Sequence, residues 1–258
     1  MDKTLLKGLH VLEVLAGSSS PCSLGELAAN LKLHKSNVHR VLKTLESAGF
    51  VRQDEETGRY AVSLKLWQLG SQVMSHLDVR REAMDQLEYL ASETGETVYL
   101  SILDGREILH IHRIESAEPI RAVQPVGGRA PLHAVSTGKA ILAFQSPDFI
   151  KLIADDMTRF TSKTVRNARE LAAELEKIRV QGFAVNHGEW RDSVCGVAAP
   201  IFSGDGRVRA SLGIGLPAMR FGAKRVKALT PPLLRASSAV SMRLGFTPPA
   251  GSKNQLVP

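Results

Sequence analysis

Residues 23 to 63, SLGELAANLKLHKSNVHRVLKTLESAGFVRQDEETGRYAVS, set two helical patterns and a hairpin pattern almost end to end. Ser23 to Glu26 fits a capping box, in which a hydroxyl and a carboxylate each satisfy the other residue's amide. Leu24, Leu27, Ala28 and Leu31 then share one helical face. After a break of about three residues, HKSNVHRVLKTLESAGF has the period of another helix, with Gly49 as its stop. At 100° per residue, Val38, Val41, Leu42 and Leu45 fall on one side. Ser36, His39, Arg40 and Lys43 fall on the other, with Lys35 and Asn37 flanking them. FVRQDEETGRYAVS reads as two short strands around Thr57-Gly58. Upstream, Leu5, Leu9 and Leu12 stand at helical spacing over residues 4 to 16, before GSSSP breaks the chain. Three short helices and a hairpin predict a winged helix-turn-helix over residues 1 to 63.

Such a unit gives the basic helix a task. Its first turns enter the major groove, where Asn37 or Arg40 can pair bidentately with base edges. Ser36 and the open amides of the first turn suit a phosphate, and Arg52 and Arg59 on the hairpin reach toward backbone or minor groove. The plainer reading is a solvated polar face. The preceding helix, the short turn and the following hairpin argue against it.

Net charge adds little to this argument. The formal charge is +7, but nine of the 33 lysines and arginines lie after Asp205, where there is no acid. Before that point 24 basic residues face all 26 acidic ones. The basic C-terminal segment, with Arg220, Lys224, Arg225, Lys227, Arg235 and Arg243, reads as a solvated or ion-paired face, or as a second nucleic-acid contact. No run approaches the ~18 apolar residues of a membrane span, and the N-terminus is too polar for a signal peptide. Two cysteines, Cys22 and Cys195, have no metal or disulfide spacing. A cytoplasmic setting is expected.

A linker helix is expected over 64–77, then an α+β domain with an antiparallel sheet over 78–246 and a flexible tail over 247–258. Within the second domain the patterns predict a helix over 79–93 and strands at 98–103 and 108–114, joined through Asp104-Gly105. A further strand is expected at 121–126, and helices at 137–145, 147–155 and 167–181. A hairpin follows over 194–215, and a last helix near 231–244, capped by Thr230 with Pro231 in its first turn.

KGLHVLEVLA, the helix-turn-helix segment above and TGRYAVS, followed by VGGRAPLHAVSTGKAILA (126–143), QGFAVNHGEW (181–190) and VCGVAAPIFSGDGRVRASLGI, resemble the IclR family of bacterial transcription regulators over nearly the full length. The resemblance implies a GAF-like effector-binding domain, a homodimer or homotetramer on palindromic double-stranded operator DNA, and a small organic acid that modulates DNA binding or assembly, often for a catabolic operon. It implies an effector pocket built from the positions of Ser136, Thr137, Asn186, Gly196, Gly213 and Gly215, to which His187 and Glu189 add polar groups. Members that bind small keto acids carry Asp, Cys and two Ser where this chain has Asn186, Gly196, Gly213 and Gly215. Cys195, one position earlier in a strand, faces the other side and is no simple substitute. The lost hydroxyls and volume suggest a larger acid, aromatic acids included, for which Trp190 and Arg191 are suited.

Other chemistries are weaker. His110 and His112 stand two apart on one strand and could share a metal with His133 or His187, so a metal-responsive regulator is one alternative. Cys195 as an oxidation sensor is another; a buried inert thiol is the simpler reading. Ser136-Thr137-Gly138-Lys139 lacks the rest of a phosphate loop, since Ala140 follows. Cys195 with His187 has no third orienting group, so no catalytic residues, and no cofactor, are assigned.

Overall fold

The computed structural model describes residues 3–75 and 78–247, side chains of 71–75 excepted; positions 248–258 of the expected tail lie outside the described residues, as do 76–77 of the expected linker helix. The chain divides into two compact units, 1–77 and 78–258.

The first unit runs α1 (Lys3–Gly17), α2 (Leu24–Leu31), α3 (Lys35–Ser47), β1 (Val51–Gln53), β2 (Tyr60–Val62) and α4 (Leu64–Ser75). The capping box forms: Glu26 N–H donates to Ser23 Oγ at 3.3 Å, and Ser23 N–H to Glu26 Oε2 at 2.7 Å. α2 stops at Lys32, the one described non-glycine residue with a left-handed backbone, φ 52°. That turn satisfies the carbonyls of Ala28 and Ala29 and lets α3 start three residues on. Val11, Leu27, Val38 and Leu42 are fully buried together, so the apolar stripe of α3 is what fixes its rotation.

In the second unit, α5 (Asp78–Thr94) precedes the hairpin β3 (Thr97–Asp104) and β4 (Glu107–Ile114). Then come β5 (Arg129–Pro131), α6 (Ser136–Leu142), α7 (Pro147–Ala154), α8 (Ala168–Gln181), β6 (Ala184–Asn186), β7 (Val194–Phe202), β8 (Val208–Pro217), a 3-10 turn at Ala218–Arg220 and α9 (Ala223–Arg243). One antiparallel sheet is ordered β5-β4-β3-β8-β7-β6. α5 and α9 pack on strands β3, β7 and β8, and α6 packs on β7 and β8 with α8 beyond it. Strand alternation divides the residues: Val98, Leu100, Leu212 and Ile214 take one face, while Tyr99, Ser101, Ser211 and Gly213 take the other.

Three expectations fail here. Residues 121–126 form no strand. Side chains take their place as partners: Tyr99 Oη donates to Ala122 O, and Arg113 Nη1 to Gln124 O. Pro125 cannot donate to a ladder, and the strand comes later, as β5. The last helix begins not at Pro231 but eight residues earlier, and Thr230 is no cap; its Oγ1 donates to Val226 O. Pro231 and Pro232 remove two donors, but Leu229, Leu233, Ala236 and Val240 are fully buried, and that packing carries the helix through. Finally, His110 and His112 do not share a face. Leu100 pairs with His112 but Ser101 with His110, so Ile111 is an extra residue, and this bulge turns the two imidazoles to opposite sides of the sheet.

Candidate functional site: a basic helix and a small cavity

α3 presents Lys35, Ser36, His39, Arg40 and Lys43 as exposed side chains, with Asn37 half-buried. Its N-cap, His34, makes no side-chain cap; Asn37 N–H donates to His34 O at 3.0 Å, which leaves the Lys35 and Ser36 amides for an anion. Two of the candidate contacts are engaged within the unit. Lys43 Nζ lies 2.8 Å from Glu46 and 3.4 Å from Gln53 of β1. Arg59 donates to Pro21 O at 2.9 Å and to Glu26 at 3.1 Å, tying the wing to the start of α2. Arg52 is exposed on β1. The arrangement gives a groove-sized helix with a cationic outer face, braced by its own wing.

In the second unit, the α6-facing side of the sheet borders a cavity of about 60 Å³. Six of the expected residues meet there: Ser136 and Thr137 from the start of α6, Asn186 from the end of β6, Gly196 from β7, and Gly213 and Gly215 from β8. His187 and Glu189 do not line it. His187 is exposed, edge-on to Phe221 with ring centroids 5.2 Å apart, and Glu189 is held elsewhere by Lys139. Tyr99, His110 and Gln124 line the cavity and were not expected there; Trp190, Arg191 and Cys195 line it as well. The strand register was the signal for Tyr99, because it stands directly across from Gly213.

The glycines do not enlarge this cavity. A Cβ on Gly213 would lie 2.4 Å from Thr137 Cγ2, and one on Gly196 would lie 2.6 Å from Ile214 O. On Gly215 it would lie 3.0 Å from the Tyr99 ring. The volume that side chains would take is already filled by this chain's own atoms, so a larger acid does not follow from the substitutions.

Asn186 is oriented by its loop. Gly188 N–H and Glu189 N–H donate to its Oδ1 at 2.9 and 2.8 Å, which assigns the amide and leaves Nδ2, a donor, for the cavity. An aspartate would serve the loop equally well but would add a negative charge. Among the described lining residues, Arg191 is the one with a full charge; its guanidinium stacks over Trp190 at 4.7 Å. Cys195 has its thiol pushed up by burial, so it is protonated, unlike a reactive thiolate. Among the described residues, no three metal-ligating side chains gather.

His110 lies 2.9 Å from Ser101 Oγ through Nδ1. Burial, aided by Arg113, lowers its pKa from 6.5 to about 4. Below pH 6.5 the unfolded chain takes a proton that the folded one refuses. This contribution therefore destabilises the fold as pH falls from 6.5 toward 4, by about 3 kcal/mol. Urea denaturation at pH 7 and pH 5 should show a smaller pH-dependent loss in His110→Gln than in the parent; equal losses would contradict the assignment.

The loop from Asn186 to Arg191 is pinned from below. Lys139 of α6, 1% exposed, reaches both Glu189 carboxylate oxygens at 2.8 Å and Glu174 at 3.4 Å. Thr161 and Thr164 donate to the Gly188 and Glu189 carbonyls at 2.9 and 2.6 Å. Sequence reasoning placed Lys139 only in an incomplete phosphate loop; nothing local in STGKA signals a buried ion pair fifty residues long in reach.

Residues 4–55 match the IclR helix-turn-helix domain, and residues 71–242 match the bacterial transcriptional regulator IclR C-terminal domain. The HTH-type transcriptional regulator KdgR of Escherichia coli K12 is 31% identical over 94% of this chain and 93% of its own. The crystal structure of Thermotoga maritima IclR superposes with a TM-score of 0.82 at 31% identity, over 94% of this chain and 99% of that one. An IclR homologue from Microbacterium hydrocarbonoxydans, solved in complex with 4-hydroxybenzoate, has the same fold, with TM-score 0.81 and 23% identity over 94% and 99% of the two chains. With a basic helix and wing in one unit, a cavity under the sheet in the other, and both domain models matched in order, the chain belongs to the IclR family of bacterial transcriptional regulators.

Proposed function

We propose that this regulator binds a palindromic operator through α3 and its wing, and that a small organic acid in the α6-side cavity modulates that binding or the assembly that supports it. The observation that carries the acid is the charge and donor pattern of the cavity. Arg191 is its one full charge among described lining residues, and Asn186, its Oδ1 taken by the loop amides, adds a neutral donor. The cavity, about 60 Å³, suits a small organic acid. The Microbacterium relative was solved with an organic acid, which supports the class of effector. Control of a catabolic operon fits such an effector. A ligand acts on DNA binding only through a difference in affinity between the competent and incompetent arrangements.

The two-fold operator calls for a homodimer or homotetramer. Leu5 and Leu9 of α1 and Leu64 and Trp67 of α4 are exposed apolar side chains in the DNA-binding unit, and they support self-association there.

The test is a DNA-binding titration against a panel of short organic acids. Asn186→Ala and Arg191→Ala should each raise the acid concentration needed for the response by tenfold or more, leaving acid-free DNA affinity unchanged. An unaltered response in both variants would contradict the reading.

A further inference from the structure

We infer that Tyr99 decides which acids the cavity admits, and that its hydroxyl ties the occupant to the 119–126 segment. The inference rests on the reading of the cavity as the effector site. Tyr99 projects from β3 on the cavity face and is 6% exposed, with its ring 4.8 Å from that of His110. The ring lies against Gly215: a side chain there would begin 3.0 Å from Tyr99 Cε2 and 3.8 Å from Ala122 Cβ. An unmoved ring and a side chain at 215 compete for one space. The glycine is the condition for the aromatic wall.

The hydroxyl is fully used. It donates to Ala122 O at 2.9 Å and accepts from Gln124 N–H at 3.0 Å. Burial raises the phenol pKa, which keeps the donor in place. Ala122 and Gln124 line the same cavity, so ring and segment form one wall. The segment has no strand partner; Tyr99 and the Arg113 bond to Gln124 O hold its backbone around the cavity, and Arg220 holds it at Ile120 O, two residues before Ala122. An acid too large for the cavity must displace the ring, and displacing the ring breaks both bonds to the segment. A small acid leaves the wall intact.

The experiment uses the full chain, with calorimetric titration of glyoxylate, pyruvate and benzoate into the parent, Tyr99→Leu and Tyr99→Phe. The parent should bind at least one of the two small acids tenfold or more tighter than benzoate. Tyr99→Leu should move that ratio at least tenfold toward benzoate. Tyr99→Phe keeps the wall, so its preference should match the parent, while amide hydrogen exchange at Gln124 becomes tenfold faster or more. An unchanged ratio in Tyr99→Leu overturns the selection role, and unchanged exchange in Tyr99→Phe overturns the tie to the segment. If Tyr99→Leu does not fold, a parent that binds benzoate as tightly as the better-bound of the two small acids overturns selection by itself. Failure of all three acids to bind either parent or variants overturns the effector reading instead.

Discussion

Lys139→Met should destabilise the second unit by about 3–5 kcal/mol, the cost of leaving a buried carboxylate without its partner. Lys139 and Glu189 are 1% and 7% exposed at their side chains, and the ammonium bridges both carboxylate oxygens at 2.8 Å. Most of that loss reflects the stranded Glu189 rather than the net strength of the pair, because desolvating two charges offsets much of their attraction. The double variant Lys139→Met/Glu189→Leu should therefore recover most of the stability. It should not recover acid binding to the same extent, because the pair also fixes the loop that presents Asn186, Trp190 and Arg191 to the cavity. Urea denaturation and acid titration on the same three proteins separate the two effects. A single variant within 1 kcal/mol of the parent would contradict the pair's structural role.

What was legible in the sequence followed from local periodicity. The capping box at Ser23, the apolar stripe of α3 and the 97–114 hairpin are short-range patterns, and each formed where its spacing placed it. What was not legible depended on contacts distant along the chain. The bulge at Ile111 separates two histidines that simple alternation puts together. α9 runs through Pro231-Pro232 because its buried face outweighs two missing hydrogen bonds. The cavity shows the same division. The family motifs led to Ser136, Thr137, Asn186 and the glycines, but Tyr99 and His110 come from the opposite hairpin and are brought there by the β3–β8 pairing. The meaning of the glycines inverted once their neighbours were known, since Thr137 and Tyr99 occupy the space they leave.

The second large effect belongs to α3. Asn37 and Arg40 are the base-edge candidates, and a good bidentate pair contributes about 1–3 kcal/mol of discrimination. Arg40 is exposed on the face opposite Val38, Val41 and Leu42, and Asn37 is half-buried at its flank, so truncating both removes no side chain of the core stripe. Lys35 and Ser36 sit in the first turn, where contacts to phosphate set affinity and its salt dependence without choosing sequence. Lys35→Ala should accordingly weaken operator and unrelated DNA alike and lower the salt slope by about one. Lys43 and Arg59, already held by Glu46 and Glu26, should matter less than Arg40. The most direct measurement is fluorescence anisotropy over a range of salt, with an operator selected from random duplexes by the parent protein and an unrelated duplex as control. Asn37→Ala/Arg40→Ala should lose on the order of a hundredfold in operator affinity and most of its preference over the control duplex. Equal operator affinity and an equal salt slope in parent and variant would contradict the account of α3 as the DNA-reading helix.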